Sequence, residues 1–189
     1  MQGAPLHARA GSLNTEVVAD AVPRSRTPIP ASGEPAQVLI RRAVAEEAAL
    51  LSELALRSKG HWGYPPEFLE ACRAELTYTA EQCASGEVFV AERDGQVVGF
   101  HLLDGQPPRG CLNSLFVDPP AIGSGVGARL LRHAFAEAKW RGFTTLTLDA
   151  DPGAVPFYEH FGAERTGEAP SGSIAGRVLP VLTFHLGGR

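Results

Sequence analysis

The chain has 189 residues, 44% of them hydrophobic and 20% charged, which is enough apolar material for one globular domain with its own core. Its formal net charge of -4 supplies no basic field to gather a phosphate backbone, so a nucleic-acid partner is unexpected. No apolar run approaches the roughly 20 residues of a membrane span, and three cysteines without a CxxC spacing argue against a disulfide framework or a zinc site and fit a reducing, cytoplasmic setting.

Residues 1–36 hold five of the fifteen prolines and keep no sustained period, so a disordered or loosely attached tail is expected there. Arg9, Arg24 and Arg26 suit an organelle transit peptide, but Glu16 and Asp20 count against one. From Gln37 the pattern sharpens, and a single domain over 37–189 is expected. Val38 to Arg42 reads as a strand. Val44, Ala48, Leu51 and Ala55 then share one face of a helix running to about Arg57. After the linker KGHWGY, Pro65-Pro66 can open a second helix with Phe68, Leu69, Cys72 and Leu76 on its apolar side. EVFVAER and QVVGFHLL flank Asp94-Gly95, which predicts a hairpin because a type I′ turn needs positive φ at both central residues. CLNSLFV (Cys111 to Val117) is the third strand of this meander.

Gly123, Gly125 and Gly127 follow, and then a helix whose stripe is Val126, Leu130, Leu131, Ala134, Phe135 and Ala138, with His133 off it and Gly142 as its stop. TTLTLDA is a β-branched strand. Ala154 to Phe161 makes a short helix, and strands near Ala163–Glu168 and Val178–Leu186 close the chain around the loop APSGSIAGR. The order βααβββαβαββ predicts an α+β (mixed α/β) domain on a mixed, mostly antiparallel sheet of about six to seven strands, with helices on both faces.

Strand, glycine loop and helix start together form an anion site. The first helical turn leaves backbone N–H groups without intrahelical acceptors and carries partial positive charge, and glycine lets a phosphate approach them. A P-loop needs Lys-Ser or Lys-Thr after the last glycine, where Ala128-Arg129 stands. A Rossmann fingerprint needs GxGxxG directly after a strand, but here the spacing is GxGxG and five residues intervene.

VDPxxxGxGxGxxLL after a three-strand meander, with AxxFYxxxGA after the next strand, resembles the GNAT superfamily of acyl-CoA-dependent N-acetyltransferases. The resemblance implies acetyl-CoA as co-substrate and no metal. Backbone around Ile122, Gly123, Ser124, Gly125, Val126, Gly127 and Ala128 would hold the diphosphate, and the strand ending Leu115, Phe116, Val117 would splay from its neighbour to pair with pantetheine. Asp151 and Phe157 would line the cofactor, and Tyr158 would protonate the leaving thiolate. The acceptor would be a small-molecule amine or an N-terminal amine, and a homodimer is allowed.

Three departures stand out. Ile122 occupies a place where the family usually has Arg or Gln, so an arginine there should, if anything, tighten binding. Asp151 stands for a frequent Asn. Asn113 and Ser114 stand where acids are frequent, which leaves the general base open among His101, Asp104 and a water aligned by Asn113. His61 and Tyr64, beside Trp62, and Ser173 and Arg177 in the late loop are the expected acceptor contacts. Arg177 would either clamp a carboxylate or pair with Glu164 or Glu168. A non-catalytic acyl-CoA-binding domain is the alternative reading.

Overall fold

The computed structural model describes residues 37–187; the tail expected over 1–36 lies outside them. The strands are β1 (Leu39–Arg42), β2 (Val88–Arg93), β3 (Gln96–Gln106), β4 (Arg109–Val117), β5 (Thr145–Asp149), β6 (Glu164–Pro170) and β7 (Val178–His185). The helices are α1 (Ala48–Gly60), α2 (Pro66–Cys72), α3 (Ala80–Ala84), α4 (Val126–Trp140) and α5 (Val155–His160). One seven-stranded sheet runs β1-β2-β3-β4-β5-β7-β6, antiparallel except where β4 meets β5.

The sheet separates two cores, as the alternation of side chains along a strand requires. On one face α4 lays Val126, Leu130, Leu131, Ala134 and Ala138 against Leu103, Leu112, Leu115 and Val117. On the other, Leu51, Leu54 and Ala55 of α1 and Cys72 of α2 meet Val88, Val90, Phe100, Leu102 and Phe116. Each fully buried leucine in these layers contributes about 2 kcal/mol through apolar area removed from water. The helix stop at Gly142 takes the expected form: Phe143 N–H bonds to the Ala138 carbonyl and Gly142 N–H to that of Lys139. Asp94 and Gly95 have φ of 53° and 75°, as the hairpin turn demands.

Three sequence expectations are corrected. Helix α1 continues to Gly60 rather than Arg57, and Val44 does not join its buried face; it precedes a 3-10 turn over Ala45–Glu47 and is 48% exposed. The second helix stops at Cys72, although Leu76 beyond it is buried. Helix α3 was not expected. Thr79 caps it by accepting from Gln82 N–H while the Gln82 side chain accepts from Thr79 N–H, a local device that specifies a helix too short to show apolar periodicity.

Candidate functional site

The sheet opens where β4 and β5 part. Their ladder runs through Arg109–Thr145, Gly110–Leu146 and Cys111–Thr147, whereas β4 itself continues to Val117. A register shift sits at the same level, because Leu102 pairs with Ser114 and Leu103 with Leu112, so that Asn113 is the extra residue. Bulges of this kind re-aim side chains and end pairing next to functional sites. At the top of the opening lies the glycine loop. Gly123 and Gly125 have φ of 80° and 82°, and Gly125 is the N-cap of α4. A Cβ built on either meets nothing within 4 Å, so the space beside this backbone is open. Gly127 is already inside the helix and buried. Arg57 grips Asp118 at the loop's entrance through two bonds of 3.0 and 3.1 Å, tying α1 to it. Ile122 is half-buried and packs against the α4-side core, so an arginine there would lose apolar packing.

A polar wall stands on the α2 side. The Tyr64 hydroxyl donates to Asp151 Oδ2 at 2.6 Å, and Arg177 Nη2 donates to that same oxygen and to the Tyr64 oxygen, each at 2.6 Å. Gly153 N–H bonds the other carboxylate oxygen. Tyr64 stacks on Phe68, and both the Arg177 guanidinium and the ammonium of the fully buried Lys59 lie over these two rings. Three corrections follow. Asp151, expected at the cofactor, is 2% exposed and its carboxylate holds this wall together. Arg177 pairs with Asp151, not with Glu164 or Glu168, and Glu168 takes Arg165 instead. Arg177 is thereby committed within the protein and does not stand ready to clamp a substrate carboxylate.

Ser173 bonds Glu75, closing the β6–β7 loop onto the segment after α2. His61 is exposed and edge-on to Trp62, outside the wall, whereas Trp62 packs on the core over Gly153. Removing Arg177 would leave a buried carboxylate without its cation, so Arg177→Met is expected to destabilise the fold by about 3 kcal/mol. Adding Asp151→Asn should recover most of that. Denaturant midpoints of the two variants check this, and additive losses would contradict it.

His101 is corrected as a base. It is fully buried beneath α4, its Nε2 lies 2.9 Å from His133 Nδ1, and its ring stacks on Phe89. With Nε2 engaged by His133 and the ring stacked on Phe89, this side chain serves the packing of α4 on the sheet. Burial first, then His133 and Arg141, hold its pKa well below the ordinary value; burial also lowers that of His133. A neutral pair shares one N–H between two nitrogens, and protonating both would set donor against donor. With native pKa values depressed, the unfolded chain binds more protons, so this stability is present above about pH 6.5 and is lost as pH falls. The melting temperature of the wild type should therefore drop more steeply between about pH 7 and pH 5 than that of His101→Leu; parallel curves would contradict it.

On the opposite face, the Asn113 amide donates to Asp104 Oδ2 at 3.2 Å, and the Cys111 thiol reaches Asn113 Oδ1 at 3.4 Å. Asp104 is exposed, so the polar group at the bulge includes a carboxylate reachable from solvent. Tyr158 and Phe157 sit on α5, just past the end of β5. Both are buried in the cluster that contains Leu115 and Val117 of the open edge and Leu148 of β5. Tyr158 meets Phe157 and Phe184 edge-on. Phe157 also packs on Phe161, and this core position leaves it a structural residue. Arg93, Lys59 and Glu75 carried no functional signal in the sequence, since a lysine ending a helix and an arginine before a turn read as solvated surface, and Phe68 read only as the apolar side of a helix.

Residues 54–163 match the family model described as Acetyltransferase (GNAT) family. The Peptidyl-lysine N-acetyltransferase YjaB of Escherichia coli (strain K12) is 39% identical over 97 residues, covering 51% of this chain and 60% of that protein. Its namesake from Salmonella typhimurium (strain LT2) is 33% identical over 116 residues, covering 60% of this chain and 75% of that protein. The chain thus spans less than two thirds of the length of the Escherichia coli relative. Among solved structures, the PaiA N-acetyltransferase from Thermoplasma acidophilum in complex with coenzyme A matches with a TM-score of 0.65 at 20% identity, over 79% of this chain and 99% of that one. That likeness shows the fold, and the match of more than half the chain to the family model establishes that this protein belongs to the GNAT acetyltransferase family.

Proposed function

We propose that this protein is an N-acetyltransferase that moves the acetyl group of acetyl-CoA to a primary amine of a small molecule or an N-terminus, by direct attack within a ternary complex. The observation that carries the reading is the end of the β4–β5 ladder at Cys111–Thr147, on the strand that leads into the open backbone of Gly123 and Gly125. The opening fits an extended thioester donor: Leu115, Phe116 and Val117 offer a strand edge to pantetheine, and the amides of Gly123 and of Val126, Gly127 and Ala128 in the first turn of α4 offer donors to a diphosphate. Bound acetyl-CoA supplies the electrophilic carbonyl and the thiol leaving group.

The chain's own residues then handle protons. Asp104, held by Asn113, is the carboxylate to which a proton from the amine passes, directly or through a water. Tyr158 gives a proton to the departing sulfur. Backbone N–H near Phe116 meets the developing oxyanion. The wall of Tyr64, Asp151 and Arg177 fixes the acceptor side rigidly, because each member is bonded to the other two.

A second acceptor class, the side-chain amine of a peptidyl lysine, is favoured by the names of the Escherichia coli and Salmonella typhimurium relatives. A non-catalytic acyl-CoA-binding domain is favoured only by Asn113 and Ser114 on β4, and the solvent-reachable Asp104 beside them weakens it. The test is thiol release from acetyl-CoA over three acceptor sets: small primary amines, peptides with a free N-terminus, and N-blocked peptides with an internal lysine. Release with the first or second supports the proposal, and release with the third alone selects the lysine reading. Binding of acetyl-CoA without release in any set leaves the non-catalytic domain.

A further inference from the structure

We propose that Arg93, at the end of β2, supplies the positive charge at the diphosphate that position 122 lacks. The inference rests on the acetyl-CoA reading above. The β2–β3 hairpin reaches the glycine loop at two points. A register shift makes Val98 an extra residue, and its carbonyl accepts from Asp118 N–H at 2.9 Å, docking the hairpin on the loop's first residue. Arg93 Nη1 then donates to Ser124 Oγ at 3.2 Å, and Ser124 Oγ donates to the Ala121 carbonyl at 2.6 Å. Ser124 lies between Gly123 and Gly125, the two residues whose backbone opens on empty space. The guanidinium is therefore held over the part of the loop where the anion would sit.

Its charge is not used elsewhere. Arg41, Arg57, Arg73, Arg141, Arg165 and Arg177 each meet a carboxylate. Among the described residues Arg93 meets none, and the hydroxyl it touches is neutral. Half-buried beside an open anion site, a planar fork with spare donors is suited to a phosphate oxygen, which makes charge-assisted bonds roughly twice as strong as neutral ones. The Ile122 side chain, turned toward the core, cannot do this.

The experiment crosses a truncated side chain with a truncated donor. Calorimetry with acetyl-CoA compares the wild type with Arg93→Met, which keeps the aliphatic stem, and with Arg93→Lys, which keeps the charge. Steady-state kcat/KM with S-acetyl-pantetheine, which lacks the diphosphate, is measured on the same proteins. The expected result is acetyl-CoA affinity lowered about 10-fold or more in Arg93→Met and less in Arg93→Lys, with S-acetyl-pantetheine used equally well by all three. Unchanged acetyl-CoA affinity in folded Arg93→Met overturns the role of Arg93 alone. Equal losses on both donors also overturn it, because the effect is then structural. A wild type that does not bind acetyl-CoA overturns the acetyl-CoA reading itself, and this role with it.

Discussion

Gly125→Val is expected to abolish measurable acetyl-CoA binding while leaving the domain folded. Two consequences of the N-cap geometry combine. A φ of 82° is costly for any L side chain, of the order of 1–2 kcal/mol, and worse for a β-branched one. That strain falls on a half-buried residue that is itself a member of neither core, so the fold can bear it. The new side chain would meet no protein atom within 4 Å of its Cβ, and so would project into the open space where the diphosphate must approach the first turn of α4. Gly125→Ala, with one methyl in the same place, should lose less. Calorimetry on variants whose circular dichroism matches the wild type decides this; unchanged affinity in a folded Gly125→Val would remove the loop from the binding site.

The glycine loop was legible in the sequence because its signal is local. Positive φ, a helix start and close approach all require the same residue type within three positions. The apolar stripe of α4 and the Asp94-Gly95 turn were legible for a similar reason, since periodicity and turn chemistry are set by near neighbours. The splay of β4 from β5 was not legible from composition or spacing; it came with the family resemblance.

What could not be read was pairing between distant positions. Arg177 finds Asp151 and Tyr64 across separations of 26 and 113 residues, and no local rule distinguishes Asp151 from Glu168 as its partner. His101 reads in the sequence as a candidate base on its strand. Its ring partner is His133, which the helical pattern places off the apolar stripe. Arg93 reads as a turn-flanking cation until the extra residue at Val98 docks its hairpin on the loop. In each case the deciding contact is tertiary and the residue is polar, so the hydrophobic pattern that carries most sequence inference says nothing about it.

Tyr158→Phe is expected to lower kcat by about 10-fold or more, with acetyl-CoA affinity little changed, since a positioned acid typically contributes 10²–10⁴-fold. The substitution keeps the ring that packs against Phe157 and Phe184 and deletes only the hydroxyl, so the fold and the open strand edge should survive. Tyr158 shares its cluster with Leu115 and Val117, the edge proposed for pantetheine, and α5 follows β5 after a 3-10 turn over Pro152–Ala154. The side chain is therefore held by the core itself, on a helix and not on a loop. A proton delivered only as the carbon–sulfur bond breaks acts in the transition state, so kcat and kcat/KM should fall together while ground-state binding stays. Single-turnover rates with excess enzyme keep product release from hiding the effect. An unchanged single-turnover rate would rule Tyr158 out as the acid. An unchanged rate together with a large loss in Asp104→Asn would place the rate-determining proton transfer at the amine instead.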